Sequence, residues 1–211
     1  MIRIGTSSEQ GRFHYAEAGA AWRIASVLLS HIPFGKRPVR FVCIGTDRST
    51  GDAYGPLTGT SLAELGDFRH PILGTLGRPV HALNLQRIAE TDEDVFTVAI
   101  DACLGKSEHI GQIVIEDRPL FPGRAVGKTL PPIGDLSIKG VVNAAAPNSQ
   151  EVLQNTRLHL PFMMSRVTAR AISLACCRHE TKPVQEPGHE GNDEDPRDKI
   201  CHPDLRQPDQ V

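Results

Sequence analysis

The chain has 211 residues, of which 39% are hydrophobic and 23% are charged, a balance typical of one globular domain with a polar margin. Its net charge of −2 excludes an electrostatic argument for nucleic acid, and no run of about 18 apolar residues is present to cross a membrane. The N-terminal segment has no apolar signal-peptide core, so we expect a cytoplasmic protein. Its five cysteines form no CxxC pair, which favours buried, reduced thiols, and Cys103 alone is a candidate nucleophile.

The hydrophobic pattern predicts helices and strands that alternate along the chain. The predicted elements are a helix over 14–32, a strand over 39–44, a helix over 56–65, a short strand over 72–75, a helix over 80–90, strands over 95–101, 112–116 and 136–142, and a helix over 158–176. This alternation predicts an α/β sandwich. The hairpin-like connection between Ile100 and Ile115 indicates one antiparallel strand, and therefore a mixed sheet.

The composition divides the chain into three parts. Residues 1–37 form an N-terminal helical extension, and residues 38–177 form the α/β domain. Residues 178–211 are rich in proline and charge and contain no aromatic residue. Such a segment buries too little apolar surface to offset the entropy of ordering, so we expect a disordered tail.

Acidic residues stand where two of the predicted strands end. The apolar run Phe41–Ile44 stops at Gly45, and a charged loop containing Asp52 follows before a helix begins near Pro56. The strand over 95–101 ends in Asp101. In open α/β sheets, ligands bind outside the carboxyl ends of the strands, so both aspartates are candidate site residues.

The two aspartates differ in how well a structural role explains them. Asp52 precedes a helix, where a carboxylate caps free N–H groups, and this role can coexist with a role in a site. Asp101 follows a run of apolar residues, and its place in the sequence indicates no local structural role. If both acids face one cleft, their repulsion raises the pKa of one of them. One carboxylate could then activate water while the other supplies a proton, as in an aspartic-type peptidase.

Four further residues are candidates for substrate binding. Asp47 and Arg48 either pair with each other and shape the loop, or contact a substrate. His81 lies near a predicted helix start, where a cap, a core position and a site role all fit. Lys128 follows a glycine-rich loop and is either solvated or oriented toward a substrate carbonyl group.

The segments IGTDRSTGDAYGPLTGT, PVHALNL, AIDACLG and EVLQNTRL, in this order, resemble the YyaC family of sporulation proteins. The resemblance extends over about residues 38–172. That family is related to the germination protease of bacterial spores and, more distantly, to the hydrogenase-maturation endopeptidases. The resemblance implies their phosphorylase/hydrolase-like fold, a three-layer α/β/α sandwich with a mixed, mostly parallel five-stranded sheet.

The motifs of the germination protease also imply site residues. Its first functional aspartate lies in a loop that residues 45–56 match with one deletion, and its second ends a strand in A-I-D-A, which residues 99–102 match. The segment PGRAVGK resembles a stretch that follows the second aspartate in that protease. The resemblance therefore implies that Asp52 and Asp101 are the paired catalytic carboxylates.

The hydrogenase-maturation enzymes add a histidine to their two acids and hold a metal. The corresponding region here, IKGVVNAAAPNSQEVL, has no histidine, and Asn143 lies near that place. This departure argues against a metal triad of that kind, and we predict neither a metal nor another cofactor.

Three functions remain open on these grounds. The first is a sporulation-associated peptidase of the germination-protease type, acting on a protein or peptide in the cytoplasm of a sporulating bacterial cell or spore, with no nucleic-acid or membrane partner. The alternative is a non-catalytic sporulation protein that kept the protease fold as a binding module. The third is an anion-binding module in which residues 46–51 cradle a phosphate, although Asp47 and Asp52 would repel it.

Overall fold

The computed structural model describes residues 9–81, 84–85, 88, 94–123 and 130–181. The strands are β1 (Glu9–His14), β2 (Val39–Cys43), β3 (Ile72–Leu73), β4 (Phe96–Gly105), β5 (Gln112–Glu116) and β6 (Leu136–Ala144). The α-helices are α1 (Ala20–His31), α2 (Tyr54–Ala63), α3 (Ser149–Gln154) and α4 (His159–Glu180), and short 3-10 helices cover Gly51–Ala53 and Ser107–His109. No helix in these described ranges has the length and apolar character needed to span a membrane.

The strands form one six-stranded sheet in the order β1-β5-β6-β4-β2-β3. Strands β3, β2, β4 and β6 pair in parallel, whereas β5 pairs antiparallel with both of its neighbours, β6 and β1. The prediction of a mixed, mostly parallel α/β fold is therefore confirmed, and β5 is the reversed strand that the short connection indicated. The sheet has six strands rather than five because β1 adds a strand at its edge.

Residues 9–37 belong to the domain, which corrects the helical extension predicted over residues 1–37. Phe13 of β1 pairs with Ile113 of β5, so this segment supplies a strand to the sheet. Helix α1 begins at Ala20, later than predicted, because the preceding residues form turns and Gly19 adopts a left-handed conformation with φ of 75°. At the other end, α4 extends to Glu180, and residues 182–211 of the predicted tail lie outside the described residues.

Helices α1, α2 and α4 cover one face of the sheet and bury the larger part of the core. Tyr54, at the start of α2, is fully buried, and its hydroxyl hydrogen-bonds that of Thr168 on α4 at 2.7 Å. Gly140 of β6 makes room for this ring, because a Cβ atom there would lie 2.8 Å from it. The first turn of α2 is therefore held between the sheet and α4.

The opposite face of the sheet carries a second, smaller core. Val42, Ile44 and Ala99 pack there against four buried residues from the connecting segments: Val80, Leu85, Leu120 and Ile133. The helix predicted over 80–90 lies largely outside the described residues. Apolar layers therefore cover both faces of the sheet.

Candidate active site

Two glycines allow the turn between β2 and α2 to pack tightly against the strand end. Gly45 has φ of 135°, which favours glycine, and a Cβ atom there would overlap the backbone carbonyl oxygen of Asp52. A Cβ atom at Gly55 would overlap the carbonyl oxygen of Ile44. The backbone N–H of Gly45 donates to the carbonyl oxygen of Val80 at 2.8 Å, which anchors the turn to the second face. These contacts hold Asp52 close to the end of β2.

Asp52 lies within the 3-10 turn Gly51–Ala53, directly before α2. The N-cap position of α2 belongs to Ala53, which makes no side-chain capping hydrogen bond. A carboxylate near a helix N-terminus is favourable in the field of the helix dipole. Asp52 is also half-buried and lines a cavity, so its position suits both the structural role and the role in a site.

Asp101 lies inside β4 rather than at its end, because β4 continues to Gly105 through pairing of Ala102 and Cys103 with β6. It marks the end of the buried part of the strand: the residues through Asp101 are buried, and the next four are half-buried. Asp101 is 9% exposed, and its Oδ1 accepts a hydrogen bond from the N–H of Ala102 at 2.8 Å. The apolar run of the sequence therefore predicts the burial boundary, not the end of the strand.

Burial raises the pKa of Asp101 well above its ordinary value, and the nearby charge of Asp52 raises it further. The N–H of Ala102 and the ammonium group of Lys139 act in the opposite direction and do not outweigh these two causes. Asp101 therefore retains a proton to higher pH than an exposed aspartate. A carboxyl group that keeps its proton beside a second carboxyl group is suited to act as an acid.

Asp52 and Asp101 line the same cavity of about 420 Å³. Its wall combines apolar side chains with two cationic ones, Arg118 and Lys139; the apolar wall residues are Ala102, Leu104, Pro119, Leu120, Phe121, Ala145 and Leu153. A cavity of this size accommodates a peptide side chain and the adjoining backbone. The two acids are thus presented together to any ligand that enters.

An ion-pair cluster at the cavity was not predicted from the sequence. Glu116, at the end of β5, accepts from Nζ of Lys139 and from Nε of Arg118, each at 2.6 Å. Burial opposes ionisation of Glu116, but hydrogen bonds from Arg118 and Lys139 outweigh it and lower its pKa. The available signal was one charged residue in each of two mostly apolar strands: Glu116 ends QIVIE, and Lys139 lies inside LSIKGVVNA.

Cys103 lines the cavity but is a poor nucleophile. Burial, reinforced by the neighbouring charge of Asp101, raises the pKa of its thiol to about 12. At neutral pH the group is therefore a thiol rather than the reactive thiolate.

Three of the predicted binding residues, Asp47, Arg48 and His81, do not line this cavity. Asp47 and Arg48 are exposed in the loop after β2, and within the described part of the chain they form no ion pair with each other. His81 lines a separate groove of about 500 Å³, and its backbone N–H donates to Oδ1 of Asn84 at 2.9 Å, as in a helix cap. Lys128 lies outside the described residues. The proposed contacts of these residues with substrate stay predictions.

No group of three or more His, Cys, Asp or Glu side chains within residues 9–81, 84–85, 88, 94–123 and 130–181 is arranged to hold a metal ion. Asn143 faces another cavity, and its Nδ2 donates to Oγ1 of Thr156 at 3.1 Å. Asn143 therefore does not join Asp52 and Asp101 in a set of metal ligands.

Comparison with known proteins finds a family model, a relative and a solved structure that are similar to this chain. A family model described as "Protein of unknown function (DUF1256)" matches residues 12–171. The uncharacterized protein YyaC of Bacillus subtilis (strain 168) is 43% identical over 165 residues, which cover 76% of this chain and 80% of that protein. The crystal structure of a NiFe hydrogenase maturation protease, HycI from Thermococcus kodakarensis KOD1, matches with a TM-score of 0.47 and 20% identity, covering 71% of this chain and 99% of the other. The first two matches confirm the family resemblance seen in the motifs.

Proposed function

The chain belongs to the DUF1256 family and is a relative of YyaC, and for this chain we propose a peptidase activity carried by Asp52 and Asp101. The observation that supports it is the pair itself: the two acids line one cavity, and burial together with the charge of Asp52 raises the pKa of Asp101. Acid–base hydrolysis uses paired carboxyl groups of unequal proton affinity.

The reaction uses one ionised and one protonated carboxyl group. Asp52 takes a proton from water as the water oxygen bonds to the carbonyl carbon, and the π electrons of the carbonyl group move onto its oxygen. When the carbonyl double bond re-forms, the C–N bond breaks and the leaving nitrogen takes the proton of Asp101. Transfer of the proton from Asp52 to Asp101 then restores the starting state. No cofactor takes part in this sequence.

The substrate class is a protein or peptide, and the setting is the cytoplasm of a sporulating bacterial cell or a spore. The motifs shared with the spore germination protease support this assignment: residues 45–56 and 99–102 carry both acids in the corresponding sequence contexts. Asp47, Arg48 and His81 are assigned to contacts with the substrate outside the cavity, and Lys128 is assigned to a contact with the substrate.

The decisive experiment is digestion of a spore-protein extract by the purified full-length chain, with new termini identified by mass spectrometry. Wild type is compared with Asp52→Asn, with Asp101→Asn, and with Asp67→Asn, which makes the same change at an exposed position. We expect cleavage products with wild type and Asp67→Asn that are absent with both site variants. Equal cleavage by Asp101→Asn would refute the paired-acid mechanism. Capture of extract proteins without cleavage, dependent on the same cavity, would support the non-catalytic binding module instead.

A further inference from the structure

We propose that Lys139, held in place by Glu116, binds the negatively charged oxygen of the ligand in the Asp101 cavity. The inference rests on the proposed peptidase activity: the oxygen is that of the scissile carbonyl group as it becomes negative, and afterwards a carboxylate oxygen of the cleaved product. The ligand class that follows is a peptide with an apolar residue on the acyl side of the cleaved bond.

The sheet register brings Lys139 beside Asp101. Strand β6 lies between β4 and β5, and Lys139 is the direct neighbour of Asp101 on one side and of Val114 on the other. Directly paired residues share a face of the sheet, and residues two apart along a strand share it as well. Asp101, Lys139 and Glu116 therefore project from one face, and the first two line the cavity together with Asp52.

Glu116 fixes the position of the ammonium group. Its side chain is 10% exposed, that of Lys139 is 26% exposed, and their charged atoms are 2.6 Å apart. An ammonium group has three N–H donors, and this ion pair occupies one of them, which leaves donors for a ligand. Glu116 also pairs with Arg118, so the cluster of two cations and one anion retains a positive charge at the cavity wall.

The cavity wall completes the recognition of the acyl residue. Leu104, Leu120, Phe121 and Leu153 form an apolar surface beside the two cations and the two acids. A ligand that places an apolar side chain against this surface presents its carbonyl carbon to the acids. A donor aimed at the developing oxyanion stabilises the transition state more than the ground state, and Lys139 neither gains nor loses a proton in doing so.

The first test measures binding and needs no turnover. The probes are N-acetyl-L-leucine, which carries a carboxylate, and N-acetyl-L-leucinamide, its neutral counterpart, titrated into isotope-labelled full-length protein and followed by NMR. We expect the carboxylate to shift the resonances of the cavity residues, and Lys139→Met to weaken its binding by about tenfold or more while changing that of the amide little. Lys106→Met, which removes an equal charge from an exposed 3.8 Å pair with Glu108, serves as the matched control and should bind as wild type does.

The second test uses the substrate found in the extract. Lys139→Met should lower kcat by about 100-fold with KM changed little, and Lys139→Arg should recover part of that loss. Glu116→Gln keeps the ammonium group but weakens its anchor, so it should show a smaller loss of the same kind. If thermal unfolding shows that Lys139→Met does not fold, the kcat of Glu116→Gln decides whether the anchored ammonium group contributes to cleavage.

The outcomes separate this inference from the proposed function. Carboxylate binding lost in Lys139→Met, with no cleavage by wild type, would support the anion site and refute the peptidase. Cleavage by wild type that Lys139→Met retains in full would support the peptidase and refute the role of Lys139. Absence of carboxylate binding by wild type, or equal binding by Lys139→Met, would also overturn the inference.

Discussion

Substitution of Asp101 by asparagine should stabilise the protein at neutral pH while it abolishes cleavage. Asp101 is 9% exposed, and burial and the charge of Asp52 both disfavour its ionised form. Asparagine has nearly the same shape, and its Oδ1 can keep the 2.8 Å hydrogen bond from the N–H of Ala102. The variant therefore keeps the shape and the hydrogen bond, and it has no carboxylate that burial and the charge of Asp52 can destabilise. We expect its free energy of unfolding to be about 1–2 kcal/mol higher than that of wild type.

The gain should depend on pH in a defined direction. Because the pKa of Asp101 is raised in the folded state, the folded protein binds more protons than the unfolded chain between the two pKa values. The stability of wild type relative to Asp101→Asn therefore falls as pH rises from about 4, the unfolded pKa, through the raised folded pKa, and is constant above it. At the acidic end, where Asp101 is protonated in both states, the two proteins should differ least.

Urea denaturation at a series of pH values measures this difference, with equal m-values as the check that both proteins unfold in the same way. Asp67→Asn, at an exposed position, should show neither the gain nor its pH dependence. A variant less stable than wild type at pH 7.5, or a gain that does not change with pH, would refute the reasoning. In that case Asp101 would be stabilised as a carboxylate, and the assignment of the proton to it would be wrong.

Three further predictions concern the scaffold and the cavity. Gly45→Ala should lower the free energy of unfolding by at least about 3 kcal/mol, because an alanine is strained at a φ of 135° and its Cβ atom would overlap the carbonyl oxygen of Asp52. Gly66→Ala, with open space around the added Cβ atom, should change it little in the same urea denaturation. Tyr54→Phe should lose about 1–2 kcal/mol in the same assay, because the hydroxyl of buried Thr168 loses its 2.7 Å partner; an unchanged midpoint would argue against that bond. The pKa of the Cys103 thiol is raised to about 12 in the folded protein, so Cys103 should react with iodoacetamide more than about 100-fold slower there than in the urea-unfolded protein. Peptide mapping by mass spectrometry measures both rates. Equal rates would mean that the thiol is accessible in the folded protein.

The elements that the sequence predicts well are those whose signals are local. Apolar runs that stop at glycine or at a charged residue mark β2 and the buried part of β4, and the short connection to β5 indicates its reversed direction. Strand β1 carries no comparable signal, since EQGRFH is short, contains a glycine and has few apolar residues. It becomes a strand only because the edge of β5 offers a row of unpaired backbone groups.

The sequence by itself determined the α/β class and the family and singled out Asp52 and Asp101, because each rests on residues that are neighbours in the chain. Tertiary structure alone decided which charges meet there. Lys139 and Glu116 lie on different strands, and only the antiparallel register of β5 and β6 brings their charged atoms to 2.6 Å. Likewise, the raised pKa of Asp101 comes from its burial and from the charge of Asp52, which is distant from it in the chain. Strand pairing and contacts between distant segments are long-range properties, which periodicity in one segment cannot encode.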